Sequence, residues 1–377
     1  MTDITTYIIY LSVLLFLVFS TYYLEGKKLK SERIYDPNRL NVLYALILIV
    51  LSFLIGFRFE VGVDWEGYVN DYFKLTSSQS FSYFDQYYEL GYYTLNWLVG
   101  ILNLGYQWVF FTMALISWYF YFKSVPKYII PLFTFFLFAD EYFFWGMNGV
   151  RQFAAMAIWV FSIKFIINKN LKLFLLSVFG ASLFHSSSIL FLPFYFIPYD
   201  RLYNQFVWTI IYVISVIVVF FLDLSVIYQN LDLLVLALSD DIGTVERYAR
   251  YAETGRLTAE QTSLGLGFAF KLLVNFLIII LSKSWIKRQP QLKPYLVLFL
   301  IGSILFNIFY EFQLINRLTH YFLIFRPLVL AYIVYHFWVI KKDRIIAPTL
   351  VVLYFIIYLA AIYGNSNMCC PYQIVFK

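Results

Sequence analysis

The sequence predicts an all-α polytopic membrane protein with about twelve transmembrane helices. Of its 377 residues, 62% are hydrophobic and 13% are charged, whereas soluble domains are roughly 45 to 50% apolar and about 25% charged. Because each crossing takes about 20 apolar residues, about twelve crossings leave no room for a separate soluble domain. The composition therefore excludes a soluble enzyme, and residues 1–377 are predicted to form a single integral membrane domain.

Apolar runs follow one another along the whole chain. The candidate crossings are residues 4–24, 41–57, 90–104, 107–122, 128–144, 150–167, 171–197, 206–222, 264–281, 295–310, 321–340 and 345–363. The first run is expected to be a retained helix, since it has no basic start and no small-residue cleavage site after it. The run 90–104 is short and contains Gly100, so we expect it to dip into the membrane or lie at its surface.

Basic residues set the predicted orientation, because cytoplasmic loops carry an excess of lysine and arginine. Three basic loops, at about 25–40, 283–293 and 341–344, are predicted to lie inside. Two long polar loops, at about 58–89 and 223–263, are then predicted to lie outside. If the run 90–104 does not cross, Arg151 also lies outside and the lysines at positions 123, 127, 169 and 172 lie inside.

Charge and cysteine content exclude further classes. The chain has 28 Lys and Arg against 22 Asp and Glu, a net charge of +6, which in a membrane protein reports basic inner loops and does not indicate nucleic acid. The two cysteines are adjacent, at Cys369 and Cys370, and the three histidines are scattered, so no zinc spacing and no disulfide framework exists. The sequence predicts no metal site and no cofactor.

The first outer loop carries an arginine followed by two carboxylates, in the order Arg58, Asp64 and Glu66. An arginine can clamp a phosphate, a carboxylate can act as a base, and Gly62 lets the backbone approach a ligand closely. On an extended segment Asp64 and Glu66 share one face, whereas on a helix they diverge and only one would act. The alternative is a solvated loop whose charges cap a helix.

Aromatic residues make up 23% of the chain, more than interfacial belts require. Bulky lipid-facing packing is one explanation. The other is that loop tyrosines offer flat faces to sugar rings. The tyrosines in question are Tyr68, Tyr72, Tyr83, Tyr87, Tyr88, Tyr92 and Tyr93.

Polar residues at the start of the run 150–167 form a second candidate cluster. Asn148 and Arg151 are three residues apart, which places them on one face of a helix, and Gln152 follows. A charged group at the bilayer edge can simply snorkel. An arginine beside a transmembrane helix is nevertheless costly and usually partnered, which favours a substrate contact.

A third candidate is His185, which lies among three serines inside the apolar run 171–197. A buried histidine is often satisfied by a serine hydroxyl or a carbonyl. Alternatively, His185 shuttles a proton or binds a polar ligand at a helix kink, since ionisable groups inside a membrane are functional candidates. Serine catalysis is not predicted, because the G-x-S-x-G motif is absent.

Two further pairs have the spacing of an anion site. Arg247 and Arg250 lie on one helix face in the second outer loop and can bracket a pyrophosphate. A solvated helix with internal ion pairs is an equal alternative. Arg317 and His320 lie three apart at the outer start of a helix, where snorkelling is the alternative.

The order of these signals resembles the EpsG family of polysaccharide polymerases, which are related to the O-antigen polymerases called Wzy. The motifs are Arg58, Gly62 and Asp64; Glu89, Gly91 and Tyr92; Asn148, Arg151 and Gln152; Phe184, His185 and Ser187; Asn316 and Arg317; and Pro371 and Tyr372. The resemblance implies a multi-pass glycosyltransferase of the C superfold in the bacterial inner membrane, with its active face and both long loops in the periplasm. It also implies substrate binding by Glu89.

The resemblance implies a reaction between two lipid-linked sugars, without a cofactor. An undecaprenyl-pyrophosphate-linked chain is the donor, and the hydroxyl of a second lipid-linked repeat unit attacks its anomeric carbon. Arginines would stabilise the pyrophosphate leaving group, and Asp64 is the first candidate for the base, before Glu66 and His185. Membrane lipid and a chain-length regulator are the other implied partners, and nucleic acid is not one.

Other functional classes remain open alternatives. An O-antigen ligase of the same superfold is the nearest, followed by a flippase for lipid-linked oligosaccharides, which should show repeated halves that this sequence lacks. A membrane O-acyltransferase would favour His and Arg within the first helix, and the run 4–24 contains neither.

Overall fold

A computed structural model describes residues 3–26, 42–77, 88–222, 265–310 and 313–375. Within these ranges the chain is helical and forms no β-strand, as the composition predicts, and Arg58 and Ile374 make an isolated antiparallel bridge. The described residues divide into two compact units. The first contains residues 3–26, 42–77, 88–195 and 330–375, and the second contains residues 196–222, 265–310 and 313–329.

The described helices follow the apolar runs, with more breaks than the sequence predicts. In chain order they are α1 (Ile4–Gly26), α2 (Val42–Gly56), α3 (Trp65–Thr76), α4 (Leu90–Ile101), α5 (Gln107–Ser124), α6 (Ile130–Ala139), α7 (Tyr142–Asn148), α8 (Val150–Ile167), α9 (Leu171–Ser182), α10 (Tyr199–Leu202), α11 (Gln205–Phe221), α12 (Leu266–Ile286), α13 (Lys293–Ile308), α14 (Gln313–Leu323), α15 (Phe325–Tyr335) and α16 (Ile346–Tyr363). A 3₁₀ helix, Ser186–Phe196, follows α9.

The described helices include fewer full crossings than the predicted number of about twelve. Six are long and apolar enough to cross a membrane, or seven if α5 and residues 127–139, which meet at 111°, form one broken span. Two predicted runs are interrupted. The run 128–144 breaks at Glu141, whose φ is 66°, and the run 171–197 breaks at His185. Hydropathy averaged over a window does not detect such breaks.

α4 occupies the run that the sequence predicts not to cross. It has 12 residues, which is about 18 Å at 1.5 Å per residue, well short of the roughly 30 Å of a hydrocarbon core. Its length therefore agrees with a dipping or surface helix.

The core of the first unit is built around α5, which packs between α2 and α8. A Cβ at Gly56 would lie 2.7 Å from the Cα of Phe111, so glycine lets α2 and α5 touch. The C-terminal end of α2 and the N-terminal ends of α5 and α8 lie together, since Arg58 contacts both Phe110 and Met147. We call this end of the first unit the site end. Lys123 and Lys164 lie close together at the other end of α5 and α8.

The segment 366–375 also lies at the site end. The backbone N–H of Phe59 donates to the carbonyl of Gln373 at 3.0 Å. The N–H of Tyr372 donates to Oγ1 of Thr6 in α1 at 2.9 Å. The segment therefore ties the loop after α2 to the first helix.

Inside the second unit, α11 packs against α12 and α13, and α13 packs against α14. Polar side chains join these helices. Asn307 of α13 donates to the Ser215 hydroxyl of α11 at 2.8 Å, and the Tyr212 hydroxyl donates to the carbonyl of Leu272 in α12 at 2.8 Å.

Candidate functional site

Arg58 follows α2 and is completely buried, with 0% of its surface exposed. Its Nε donates to the carbonyl of Val61 at 3.0 Å, its Nη2 to that of Met147 at 2.5 Å, and its Nη1 to that of Ile55. The guanidinium also lies 4.3 Å from the ring centroid of Phe110. Burial lowers the pKa of Arg58 to about 10, so it stays charged at neutral pH. Because all its nitrogens bind main-chain carbonyls, Arg58 has a positioning role in place of the predicted phosphate contact.

A tight turn brings the loop after α2 against α7. Gly62 has a φ of 100°, a conformation that other residues rarely adopt. Asn148, the last residue of α7, accepts the backbone N–H of Asp64 on its Oδ1 at 2.8 Å. Gly149 separates Asn148 from α8, so the predicted shared helix face of Asn148 and Arg151 does not exist. Asn148 instead anchors the backbone of the candidate base.

Asp64 and Glu66 lie at the start of α3. Asp64 precedes the helix and Glu66 is in its first turn, and both side chains are exposed. The sequence left open whether this segment is extended or helical. The structure has the helical arrangement, in which the two carboxylates do not share a face. Negative charge is favourable here because the first turn has a positive dipole end. The Asp64 side chain makes no capping hydrogen bond to the helix.

Arg151, in the first turn of α8, binds Glu89, which precedes α4. Its Nη1 lies 2.7 Å from Oε2 of Glu89, and the two side chains are 18% and 12% exposed. Burial strengthens such a pair, yet both groups remain accessible. Nε of Arg151 is buried and has no hydrogen-bond partner among the described residues. An anionic ligand would therefore meet the exposed 18% of the Arg151 side chain and not its Nε.

Two tyrosines line the guanidinium of Arg151. Its Cζ lies 5.0 Å from the ring centroid of Tyr92 and 5.8 Å from that of Tyr68, within cation–π range. Their rings therefore contact the arginine. The pKa of Tyr68 is raised, mainly by burial. The charge of Arg151 acts to lower this pKa, and the charge of Asp64 acts to raise it. Tyr68 thus lies within electrostatic reach of both the arginine and the candidate base, and it keeps its proton at neutral pH.

His185 lies at the break between α9 and the 3₁₀ helix. Its Nδ1 is 2.6 Å from Oγ of Ser187, which is the predicted alternative of an imidazole satisfied by a serine hydroxyl. The neighbouring N–H of Ser186 donates to Oε1 of Glu89 at 3.4 Å. Glu89 therefore contacts both Arg151 and the helix break at which His185 lies.

The close approach of α4 to this break depends on a glycine. A Cβ at Gly91 would lie 2.7 Å from the carbonyl oxygen of Leu183. The N–H of Gly91 donates to that same carbonyl at 2.8 Å. This contact fixes Glu89, two residues earlier, beside the break.

The remaining predicted site residues lie apart from this group or outside the described ranges. Gln152 is only 6% exposed, on the buried side of α8. Arg317 is exposed and His320 half-buried, both on α14 in the second unit. Arg247 and Arg250, with the loop 223–263, lie outside the described residues.

Cys369 and Cys370 are buried free thiols. Burial raises the pKa of each to about 12. Thiols with such a pKa are not nucleophilic at neutral pH, so their role is packing of the segment 366–375.

Sequence reasoning missed several polar contacts. The Tyr88 hydroxyl donates to Oδ1 of Asp71 at 2.9 Å, and Asp71 also contributes charge near Tyr68. In the second unit, Nη1 of Arg326 donates a hydrogen bond to Oδ1 of Asn275 in the interior. The sequence could have indicated this pair, because each is a polar residue inside an apolar run. In the described ranges, no group of three His, Cys, Asp or Glu residues converges to hold a metal ion.

The fold and this site define a multi-span membrane protein with an arginine–carboxylate site at one end of a helical unit. The family model for the EpsG family matches residues 41–374. The chain therefore belongs to the EpsG family, whose members are polysaccharide polymerase-like. No curated protein and no solved structure matches the chain.

Proposed function

We propose that the protein is an O-antigen (Wzy-type) polysaccharide polymerase of the bacterial inner membrane, a glycosyltransferase of the C superfold with about twelve crossings. Its donor is a glycan chain on undecaprenyl pyrophosphate, and its acceptor is a second lipid-linked repeat unit for a surface glycan such as lipopolysaccharide. A chain-length regulator is a further proposed partner. Family membership supports the polymerase class.

The observation that carries this proposal is the Arg151–Glu89 pair, whose two side chains stay partly exposed at the site end. Pyrophosphate leaving groups need cationic stabilisation as charge develops. Arginine supplies it through a fork that matches phosphate oxygens. Glu89 holds the guanidinium in place until the ligand binds.

The proposed chemistry is a displacement at the anomeric carbon of the donor. The acceptor hydroxyl attacks this carbon, the bond from the carbon to the pyrophosphate oxygen breaks, and the lipid pyrophosphate leaves with the electron pair. Arg151 stabilises the charge that develops on the leaving group. Asp64 takes the proton of the attacking hydroxyl, with Glu66 and His185 as the alternatives. Asn148 supports this role, because it fixes the backbone at Asp64.

We propose the periplasmic face for the site. Lys123 and Lys164 lie in the last turns of α5 and α8, whereas Arg151 lies in the first turn of α8. Lysines favour the cytoplasmic side of a membrane, so the site end faces outward. Cysteine labelling at Asn148 in intact cells tests this, because labelling by an impermeant reagent is expected only if the site end is outside.

The function is tested by deleting the gene and complementing the strain with variants. Loss of the protein is expected to leave single repeat units on the surface in place of long chains. Arg151→Ala should behave like the deletion, whereas Arg288→Ala, which removes an exposed arginine of the second unit, should restore full polymer. A deletion strain with no surface glycan at all would contradict a polymerase and support a ligase or flippase.

A further inference from the structure

A groove opens on the first unit between α2 and α5, away from the site end. Its volume is about 340 Å³, and its walls are apolar apart from one tyrosine hydroxyl. Apolar cavities stay dry, so the ligand that suits this groove is an alkyl chain. The side chains that line it come from the N-terminal part of α2 and the C-terminal part of α5, and include Ala45, Leu48, Ile49, Leu115, Ile116 and Tyr119.

Two lysines lie beside the groove, in the last turns of α5 and α8. Nζ of Lys123 is 5.7 Å from the ring centroid of Tyr119, which lines the groove. Nζ of Lys164 is 3.4 Å from the ring centroid of Phe161. The ring of Phe161 packs edge to face, at 5.0 Å between centroids, on that of Phe120, which also lines the groove. One aromatic surface therefore connects the groove to both ammonium groups.

No described carboxylate balances the charge of these lysines. Lys123 lies within electrostatic reach of Lys164, and neither makes an ion pair in the ranges that the structure describes. Between residues 107 and 182 the sequence has acidic side chains only at Asp140 and Glu141, and Glu141 accepts a hydrogen bond from Ser366 at the site end. Like charges repel each other, so an anion that contacts both lysines relieves this repulsion.

We propose that the groove and the two lysines form a binding site for one anionic phospholipid of the bilayer. An acyl chain fills the groove, and the lipid phosphate contacts Lys123 and Lys164 at the membrane surface. Basic pockets between helices on the cytoplasmic side bind anionic headgroups, and lysines reach the surface because their stems lie along apolar side chains.

The combination of groove and lysines identifies the occupant. A zwitterionic lipid brings no net negative charge to offset the lysines. A polyprenyl substrate carries its phosphate to Arg151 at the opposite end of α8, so its headgroup does not reach Lys164. An anionic phospholipid satisfies both parts of the site. The inference does not depend on the polymerase, because it concerns the end of the unit away from the proposed chemistry.

Native mass spectrometry of the full-length protein in detergent tests the lysines. The first molecule of dioleoyl phosphatidylglycerol is expected to bind about tenfold or more tightly than dioleoyl phosphatidylcholine. Lys123→Gln and Lys164→Gln should each weaken binding of phosphatidylglycerol about fivefold, because a lysine near the surface attracts an anionic headgroup by about that factor. The matched control is Lys172→Gln, which removes an exposed lysine of α9 and should leave the affinity unchanged.

A second variant tests the acyl chain. Ala45→Phe fills the groove without a change in charge, and it should weaken binding of phosphatidylglycerol about tenfold, because the chain then loses its apolar contacts. Leu176→Phe enlarges a side chain of α9 that is 63% exposed, and this control should bind like the parent. All variants should elute like the parent in size-exclusion chromatography. Unchanged affinity in Ala45→Phe would reduce the site to surface attraction and overturn the proposal.

Three further results would overturn the proposal. The first is equal affinity for the two phospholipids, and the second is unchanged affinity in either lysine variant. The third is displacement of phosphatidylglycerol by excess undecaprenyl phosphate, which would assign the groove to the tail of a polyprenyl substrate. These results leave the polymerase proposal intact, because that proposal is tested separately by the surface chain length of the deletion strain.

Discussion

Arg58 and Arg151 are two arginines at the same end of the first unit with opposite surroundings. Each guanidinium lies on an aromatic ring, at 4.3 Å from Phe110 for Arg58 and at 5.0 Å from Tyr92 for Arg151. Arg58 donates from every nitrogen to a main-chain carbonyl and is 0% exposed. Arg151 binds a carboxylate and its side chain is 18% exposed.

The difference teaches which arginine can bind a ligand. Two of the carbonyls that Arg58 binds, those of Ile55 and Met147, belong to the last turns of α2 and α7. Releasing them would disturb both helix ends, so a ligand cannot easily displace these contacts. A carboxylate on a side chain can release a guanidinium and rebind it when an anionic group of the substrate competes. Arg58 therefore supports the loop that carries Asp64, and we expect Arg151 to be the arginine that binds substrate.

The largest expected effect is that of Arg58→Ala on folding. The change removes three charge-assisted hydrogen bonds, each worth about 1.5 to 3 kcal/mol, and strands buried carbonyls. We expect little folded protein by size-exclusion chromatography in detergent, and a thermal midpoint well below the parent's. Arg151→Ala is the matched control and should elute like the parent. A monodisperse Arg58→Ala protein with the parent's midpoint would reverse the roles assigned to the two arginines.

The next largest effect is expected for Arg151→Ala, which should abolish polymer while the amount of protein stays unchanged. A charge-assisted contact to phosphate contributes about 1.5 to 3 kcal/mol per bond, and more where it strengthens in the transition state. Lysine should rescue little, because it is a point charge without the fork. Arg317→Ala in the second unit should also abolish polymer. Polymer of normal length from both alanine variants would mean that these arginines only snorkel.

Asp64→Asn is expected to come third. Loss of a general base typically costs about 100- to 10,000-fold in rate, enough to leave single repeat units on the surface. The asparagine keeps the shape, and the backbone N–H at this position still reaches Asn148, so membrane insertion should not change. Full polymer from Asp64→Asn, with none from Glu66→Gln, would exchange the roles of the two carboxylates. If both variants are active, His185 becomes the leading base.

The class of fold could be predicted from composition, because apolar residues in such excess have no place in a soluble domain. The positions at which helices break inside the apolar runs could not be predicted. Glu141 takes a φ of 66° and His185 separates two helices. Both are polar residues inside apolar runs, but a polar residue in such a run can also stand within an unbroken helix, so its presence does not predict a break. Local contacts with other helices decide these breaks, and a single-sequence pattern does not contain them.

The same limit applies to the site. Arg58 and Arg151 look alike in the sequence as anion candidates, and what separates them is the approach of Met147, 89 residues away from Arg58. The loop bearing Asp64 and Glu66 offered two arrangements, and only the start of α3 decides between them. Glu89, which the resemblance indicated, lies beside Arg151 across 62 residues of chain. Such long-range contacts are fixed by tertiary packing.

The smallest expected effect is that of Glu89→Gln, which tests how Arg151 is held. The amide keeps the shape and an oxygen that accepts from Arg151, but a neutral hydrogen bond is worth about 1 kcal/mol less than a charged one. We expect a roughly fivefold fall in polymerisation rate. A fall in kcat would indicate that Glu89 positions Arg151, whereas a rise in KM would indicate the substrate contact that the resemblance implies. Glu60→Gln, at an exposed carboxylate of the same region, is the control and should leave the rate unchanged. A rate for Glu89→Gln equal to that of the parent would mean that the tyrosine rings and the first turn of α8 hold Arg151 without the carboxylate, so that its orientation depends on packing alone.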